Sequence, residues 1–264
     1  MGIAYNSRVI VEGLIECFEP NLADGSSPQV IGSKTSSSTF TSNNFSTSTT
    51  TSGIKVLNSN VLSDGSGTSH LVLSRNTSLE TGSITFIIWL NLNNIPIDVG
   101  ANNNWRGLLC TANSGTAGSP LTMVLEQGRV INFSTTHTDL YRRNLNNNFN
   151  PISVDATGWQ MVSYTYNSTT GTAACYKNQN LILSGPMTVD ASNGSPTGAG
   201  TQLSYTNYQS GGFRIYGGTN TVANPNGNGV CPGFLGNIYV YNRALTSQEI
   251  QQNYTALKGR FGLT

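Results

Sequence analysis

The chain has 264 residues, a formal net charge of +1 and only 9% charged side chains, against about 25% in an ordinary soluble protein. Such a balance excludes the clustered basic field that nucleic acid requires, and no apolar run reaches the roughly eighteen residues of a membrane-spanning helix. The expected surface is uncharged and polar, built from Ser, Thr, Asn, Gln and Gly, with neither nucleic acid nor a membrane as partner. The opening MGIAYNSRVIVEGLIECFEP lacks a basic start followed by an apolar core, and Asn6 stands where myristoylation needs Ser or Thr. Synthesis in the cytoplasm without export is the expectation.

In chain order, Val9–Phe18 mixes apolar residues with glutamates and reads as a first strand. Residues 33–52 form a Ser/Thr-rich insert anchored by Phe40 and Phe45, and partial order as exposed strands is expected. Leu71–Leu73 is a short strand. Gly82–Leu92 gives the clearest pattern: Ile84, Phe86, Ile88, Leu90 and Leu92 share one face, while Ile87 and Trp89 make the other apolar. A central strand buried on both sides follows. Leu121–Glu126 and Arg129–Ser134 flank a Gln127-Gly128 hairpin turn, and Trp159–Tyr166 and Thr172–Lys177 flank the loop Asn167–Gly171. Lys177–Asn180 is a turn into Leu181–Leu183, and Phe213–Tyr216 is short.

The last stretch differs in kind. A strand through Ile238–Tyr241 leads into the single convincing helix. Thr246 is its N-cap, with Glu249 at the capping-box position and Leu245 and Ile250 as a hydrophobic staple. Ile250, Tyr254 and Leu257 share one face, and Gly259 is the expected stop. Many short strands, frequent turns and one terminal helix point to an all-β, antiparallel two-sheet sandwich in one domain spanning 1–264. No fixed-period repeat suggests a propeller or a solenoid. Cys17, Cys110, Cys175 and Cys231 form no C-x-x-C pair and read as small buried apolar side chains.

Several segments resemble, in order, the concanavalin A-like lectin/glucanase jelly roll, in particular the laminin-G-like domains of tailed-phage structural proteins. They are Glu12–Ile15 at the first strand, Ser83–Leu92 with Trp89 in its Trp position, Gly158–Val162, Thr172–Asn178 with Tyr176 matched, and Gly236–Ile238 followed by Tyr241–Leu245 and Glu249-Ile250. The resemblance implies a jelly-roll sandwich closed by a C-terminal helix. The glucanase relatives carry closely spaced carboxylates as nucleophile and acid/base. Here the nearest approach is Glu12, Glu16 and Glu19, and alternation puts Glu12 and Glu16 on one face and Glu19 on the other. No G-x-S-x-G elbow is present and His70 and His137 are the only histidines. The expectation is a non-enzyme, with a glycoside hydrolase as the remote alternative.

Two loop segments carry recognition chemistry. Asn104-Trp105-Arg106 puts a Trp in a polar loop, and His137, Asp139, Tyr141, Arg142 and Arg143 gather in one connection. Aromatic, amide and guanidinium groups suit either a protein interface or a sugar. Tyr205 and Tyr208 are weaker examples. No cofactor is expected, although the resemblance allows calcium, for which Asp98, Asp139 and Asp155 are loop candidates. Two functions compete. The first is a virion structural protein of a tailed phage, a head decoration, neck or tail accessory module that contacts other virion proteins or itself as a symmetric oligomer. The second is a glycan-binding lectin or adhesin on the particle surface.

Overall fold

A computed structural model describes residues 8–20, 40–43, 45–50, 53–59, 69–93, 106–111, 121–126, 129–136, 142–145, 152–189, 203–205, 211–216 and 229–264. The strands, in chain order, are β1 (Leu14–Phe18), β2 (Phe40–Asn43), β3 (Phe45–Thr49), β4 (Lys55–Ser59), β5 (His70–Leu73), β6 (Ile84–Asn91), β7 (Arg106–Thr111), β8 (Thr122–Glu126) and β9 (Val130–Thr136). They continue with β10 (Arg142–Leu145), β11 (Ile152–Ser153), β12 (Gln160–Asn167), β13 (Thr172–Lys177), β14 (Asn180–Val189), β15 (Phe213–Ile215), β16 (Gly229–Val230) and β17 (Phe234–Tyr241). One α-helix, α1 (Ser247–Leu257), follows β17.

The strands form two sheets of a jelly-roll sandwich. In the front sheet the order is β14–β13–β12–β6–β17, and the far edge of β17 is shared by β4 and β1. Strand β3 continues that edge beside β4. In the back sheet the order is β2–β5–β15–β7–β8–β9, with β10 and β11 on the far side of β9. Pairing is antiparallel except for β16, which lies parallel to β7. Strand β14 joins both layers: Asn180–Pro186 pair with β13, and Met187–Val189 pair with β10.

The pattern of β6 explains its place. Ile84, Phe86, Ile88 and Leu90 face the core between the sheets, where they meet Leu71, Leu73, Met123, Ile131 and Phe133. Phe133 and Tyr164 stack across this core at 5.2 Å. Ile87 and Trp89 face outward into a second apolar cluster with Tyr239, Tyr241, Ile250, Tyr254, Leu257 and Phe261. The sheet is therefore buried on both sides at β6, with the opposite sheet on one face and α1 on the other. An antiparallel strand that faced water on one side would need polar residues there.

Helix α1 begins as its sequence dictates. The Thr246 hydroxyl accepts from the Glu249 amide, and the Glu249 carboxylate accepts from the Thr246 amide at 2.8 Å. Such a cap contributes about 1 kcal/mol. Arg243 grips the same carboxylate with two hydrogen bonds of 3.0 and 2.6 Å. The Arg243 guanidinium holds the Glu249 carboxyl down at about 2, with help from Thr246. Thr85 of β6 tethers the turn by donating to the Arg243 carbonyl and accepting from the Leu245 amide. Arg243 also lies over Gly13, whose left-handed φ of 72° and a contact of 2.9 Å to a hypothetical Cβ leave room for no side chain. Residues 8–13 run alongside: the Ile10 amide donates to Asn253 and the Gln252 amide to the Arg8 carbonyl.

Three expectations are corrected. The first strand starts at Leu14 instead of Val9, because 8–13 lies against the helix. The α-helix ends at Leu257, just before Gly259, but Gly259 takes no left-handed turn there. A 3-10 turn, Lys258–Phe261, runs through it, and Gly262 at φ 73° ends it. The extra turn carries Phe261 onto the outer face of the front sheet, and that burial outweighs the stop signal. The strand after the Lys177–Asn180 turn extends to Val189 instead of Leu183, because Met187–Val189 find a second partner in β10. The Ser/Thr-rich insert does form strands, β2 and β3, on opposite sheets.

Candidate functional site

The residues that the sequence nominated separate into two groups. Asp98, Asn104, Trp105, His137, Asp139, Tyr141 and Tyr208 lie outside the described residues. Arg106 is the first residue of β7 rather than part of a loop, and Arg142 and Arg143 open β10, paired with β9 and β14. Register there is set by two neighbouring strands, which the sequence of a short polar stretch does not announce. Tyr205 is buried in the core. Asp155 is exposed and its Oδ1 lies 2.9 Å from the Lys177 ammonium, a charge that competes with any cation. Among the described residues no group of three His, Cys, Asp or Glu side chains gathers as metal ligands.

The glutamates of the first strand are also placed. A bulge in β1 between Leu14 and Glu16 leaves Glu16 opposite the inward-facing Val240, where it accepts from Asn76. Glu19 lies on the outer side with the Tyr239 hydroxyl and, at 2.9 Å, Arg260. Cys17 beside it is pushed well above the ordinary thiol value by burial and by the Glu19 charge. Glu16 and Glu19 thus occupy opposite sides of the sheet and share no cleft.

A different surface offers recognition geometry. At the end of the front sheet beyond α1, a groove of about 280 Å³ is lined by Ser48, Thr49, Thr50, Val56, Asn91, Trp159 and Phe234. Register builds it. Phe234 lies opposite Asn58 of β4 on one side and Asn91 of β6 on the other. Gln160 pairs with Leu90, so the next residue outward, Trp159, falls beside Asn91. Ser48 lies opposite Val56. Cross-strand partners share a face, so these side chains meet on the outer surface. A bulge at Gly236-Asn237, between Leu235 and Ile238, keeps Tyr239 and Tyr241 outward on the same strand.

Trp159 is held from the helix side. Its ring meets Phe261 at 4.6 Å, and Phe234 stands 6.4 Å away at 30°. Gly236 permits this approach, since a Cβ there would lie 2.8 Å from Phe261 and 3.0 Å from the Trp159 ring. Phe261 in turn stacks on Trp89 at 4.3 Å, and Trp89 on Tyr254 at 5.8 Å. Five rings therefore run from Tyr254 on the buried face of α1, through the half-exposed Trp159 indole, to Phe234 at the groove. The Asn91 Oδ1 accepts from the Asn93 amide, while its Nδ2 and the Ser48 hydroxyl make no hydrogen bond among the described residues. The sequence marked Trp159 as the start of a strand and as part of the resembling segment Gly158–Val162, not as a recognition residue. Its pairing with Met161 on an outward face was legible, but the groove depends on β3 and β4, which come from far earlier in the chain.

No family model and no curated protein matches the chain. Solved structures with the same fold do. A botulinum neurotoxin serotype D/C binding domain superposes with a TM-score of 0.60 at 11% identity, over 94% of this chain and 53% of that one. The binding domain of botulinum neurotoxin DC in complex with SialylT gives 0.56 at 12%, over 94% and 52%. Trypanosoma rangeli sialidase in complex with the inhibitor DANA gives 0.54 at 14%, over 92% and 32%. The chain spans about half the length of the toxin domains. At such identities the likeness is one of fold: an all-β sandwich shared with toxin binding domains and a sialidase.

Proposed function

We propose that this chain is a non-enzymatic glycan-binding module of the lectin or adhesin kind, presented on a surface. The observation that carries the reading is the groove at Trp159 and Phe234: an aromatic platform whose rim holds the Ser48 hydroxyl and the Asn91 Nδ2, which make no hydrogen bond among the described residues. Sugar sites need that combination, because a pyranose has apolar C–H faces and a polar circumference. The neighbouring toxin binding domain that carries SialylT adds support at the level of the fold. A retaining pair of carboxylates needs a separation of about 5 Å on one cleft floor, and Glu16 and Glu19 lie on opposite sides of the sheet, which favours binding over hydrolysis.

A glycan array probed with the purified chain tests the proposal, alongside an assay for reducing-sugar release. Binding to at least one glycan without hydrolysis is the expected result. An array that stays blank, with the chain found at a symmetric position in a phage particle and its groove covered by another virion protein, would replace this reading with particle assembly. Release of sugar lost on Glu19→Gln would replace it with a hydrolase.

A further inference from the structure

Resting on the glycan-binding reading, we propose that the Trp159–Phe234 groove takes one neutral pyranose ring, stacked on Trp159, in preference to a sialylated or other anionic sugar.

The chemistry of the lining makes the selection. Its described residues are Ser48, Thr49, Thr50, Val56, Asn91, Trp159 and Phe234, and none of them is ionisable. A carboxylate leaving water needs a guanidinium, an ammonium or convergent N–H donors, and without them its desolvation opposes binding. Two described cations nearby, Lys55 and Arg260, are turned elsewhere. Val56 faces the groove, so Lys55, the preceding residue on β4, lies on the opposite pleat. Arg260 sits one residue before Phe261 and is engaged with Glu19 at 2.9 Å.

The same lining suits a neutral ring. Sugar hydroxyls both donate and accept, so they match the Ser48 hydroxyl and the Asn91 Nδ2 without any net charge. The electron-rich indole face attracts the C–H edges of a pyranose. Phe234, inclined 30° to Trp159 at 6.4 Å, closes the floor beside it. The groove's volume of about 280 Å³ falls just under the about 300 Å³ at which pockets begin to hold drug-sized molecules. One ring fits, and further sugar units would extend into solvent.

Titrations with methyl β-D-galactoside, methyl β-D-glucoside, lactose and 3′-sialyllactose test this, read by calorimetry and by saturation-transfer NMR. The expected result is binding of at least one neutral sugar, with saturation strongest at its ring C–H protons and with sialyllactose no tighter than lactose. Trp159→Ala should weaken binding by about tenfold or more, and Trp159→Phe should retain most of it. Ser48→Ala, at a half-buried edge position, should weaken it a few-fold and gives a readout even if Trp159→Ala fails to fold. Sialyllactose binding tighter than lactose, or neutral-sugar affinity unchanged in folded Trp159→Ala and Ser48→Ala, overturns the groove assignment and leaves glycan binding standing. Failure to bind any array glycan removes the glycan-binding reading, and this inference with it.

Discussion

Trp89 in β6 and Trp159, the residue just before the adjacent β12, lie on the same outer face of the front sheet, yet their surroundings are opposite. Trp89 is fully buried between Tyr254 and Phe261, and even its indole N–H makes no hydrogen bond among the described residues. Trp159, beside it, has Phe261 on the helix side and a groove on the other. Helix α1 and the turn after it reach far enough to cover the first ring and stop at the second. One tryptophan is packing and the other is half-exposed at a groove, and the length of a single C-terminal element decides which is which.

The largest expected effect separates them directly. Trp89→Ala should lower unfolding stability by about 3–5 kcal/mol in a denaturant titration, as large aromatic truncations in cores do. Trp159→Ala should cost about 1 kcal/mol, the scale of a lost aromatic pair. Equal losses would show that Trp159 belongs to the core and would end the distinction. Gly236→Ala comes next, because its Cβ would press on Phe261 and Trp159 at 2.8 and 3.0 Å. Overpacking there should cost about 1–3 kcal/mol by the same titration, and it should shift the indole fluorescence of Trp159. An unchanged midpoint would show that Phe261 moves freely, so that the boundary between covered and open ends is soft.

A smaller effect tests how α1 is anchored. Thr246→Ala removes the cap and should cost about 1 kcal/mol, read as a lowered melting temperature. The smallest concerns pH. Glu249 has its carboxyl lowered from 4.5 to about 2 in the folded chain. A lowered folded value means that the contribution is complete above 4.5 and is lost as pH falls towards about 2. Stability measured across that window should fall less steeply in Glu249→Gln than in the unmodified chain, although the variant starts lower. Parallel curves would show that the Arg243 grip adds nothing, and that Trp89 is covered by apolar packing alone.

Much of the covered end was legible in the sequence. The alternation of Ile84–Leu90 with Ile87 and Trp89 on the second face announced a strand buried twice. The Thr246–Glu249 capping box and the Leu245–Ile250 staple announced where α1 begins. Both are local patterns, set within a few residues by pleat and helix geometry. The 3-10 turn beyond α1 was not legible, because Gly259 carries a local stop signal, whereas Phe261 gains its burial from strands twenty to more than a hundred residues away.

The open end was hardly legible at all. Composition pointed to Trp105 and to the Arg142-Arg143 segment, since isolated aromatics and cations draw the eye in a chain with 9% charge. Trp159 sat unremarked within a strand motif. By itself the sequence determined the sandwich class, the doubly buried strand and the capped helix, because each follows from spacing along the chain. Only the tertiary structure decided the groove. Ser48 and Val56 on one edge, Phe234 and Asn91 in the middle and Trp159 beyond them meet through strand register, and register between distant strands is fixed by the packing of the whole core.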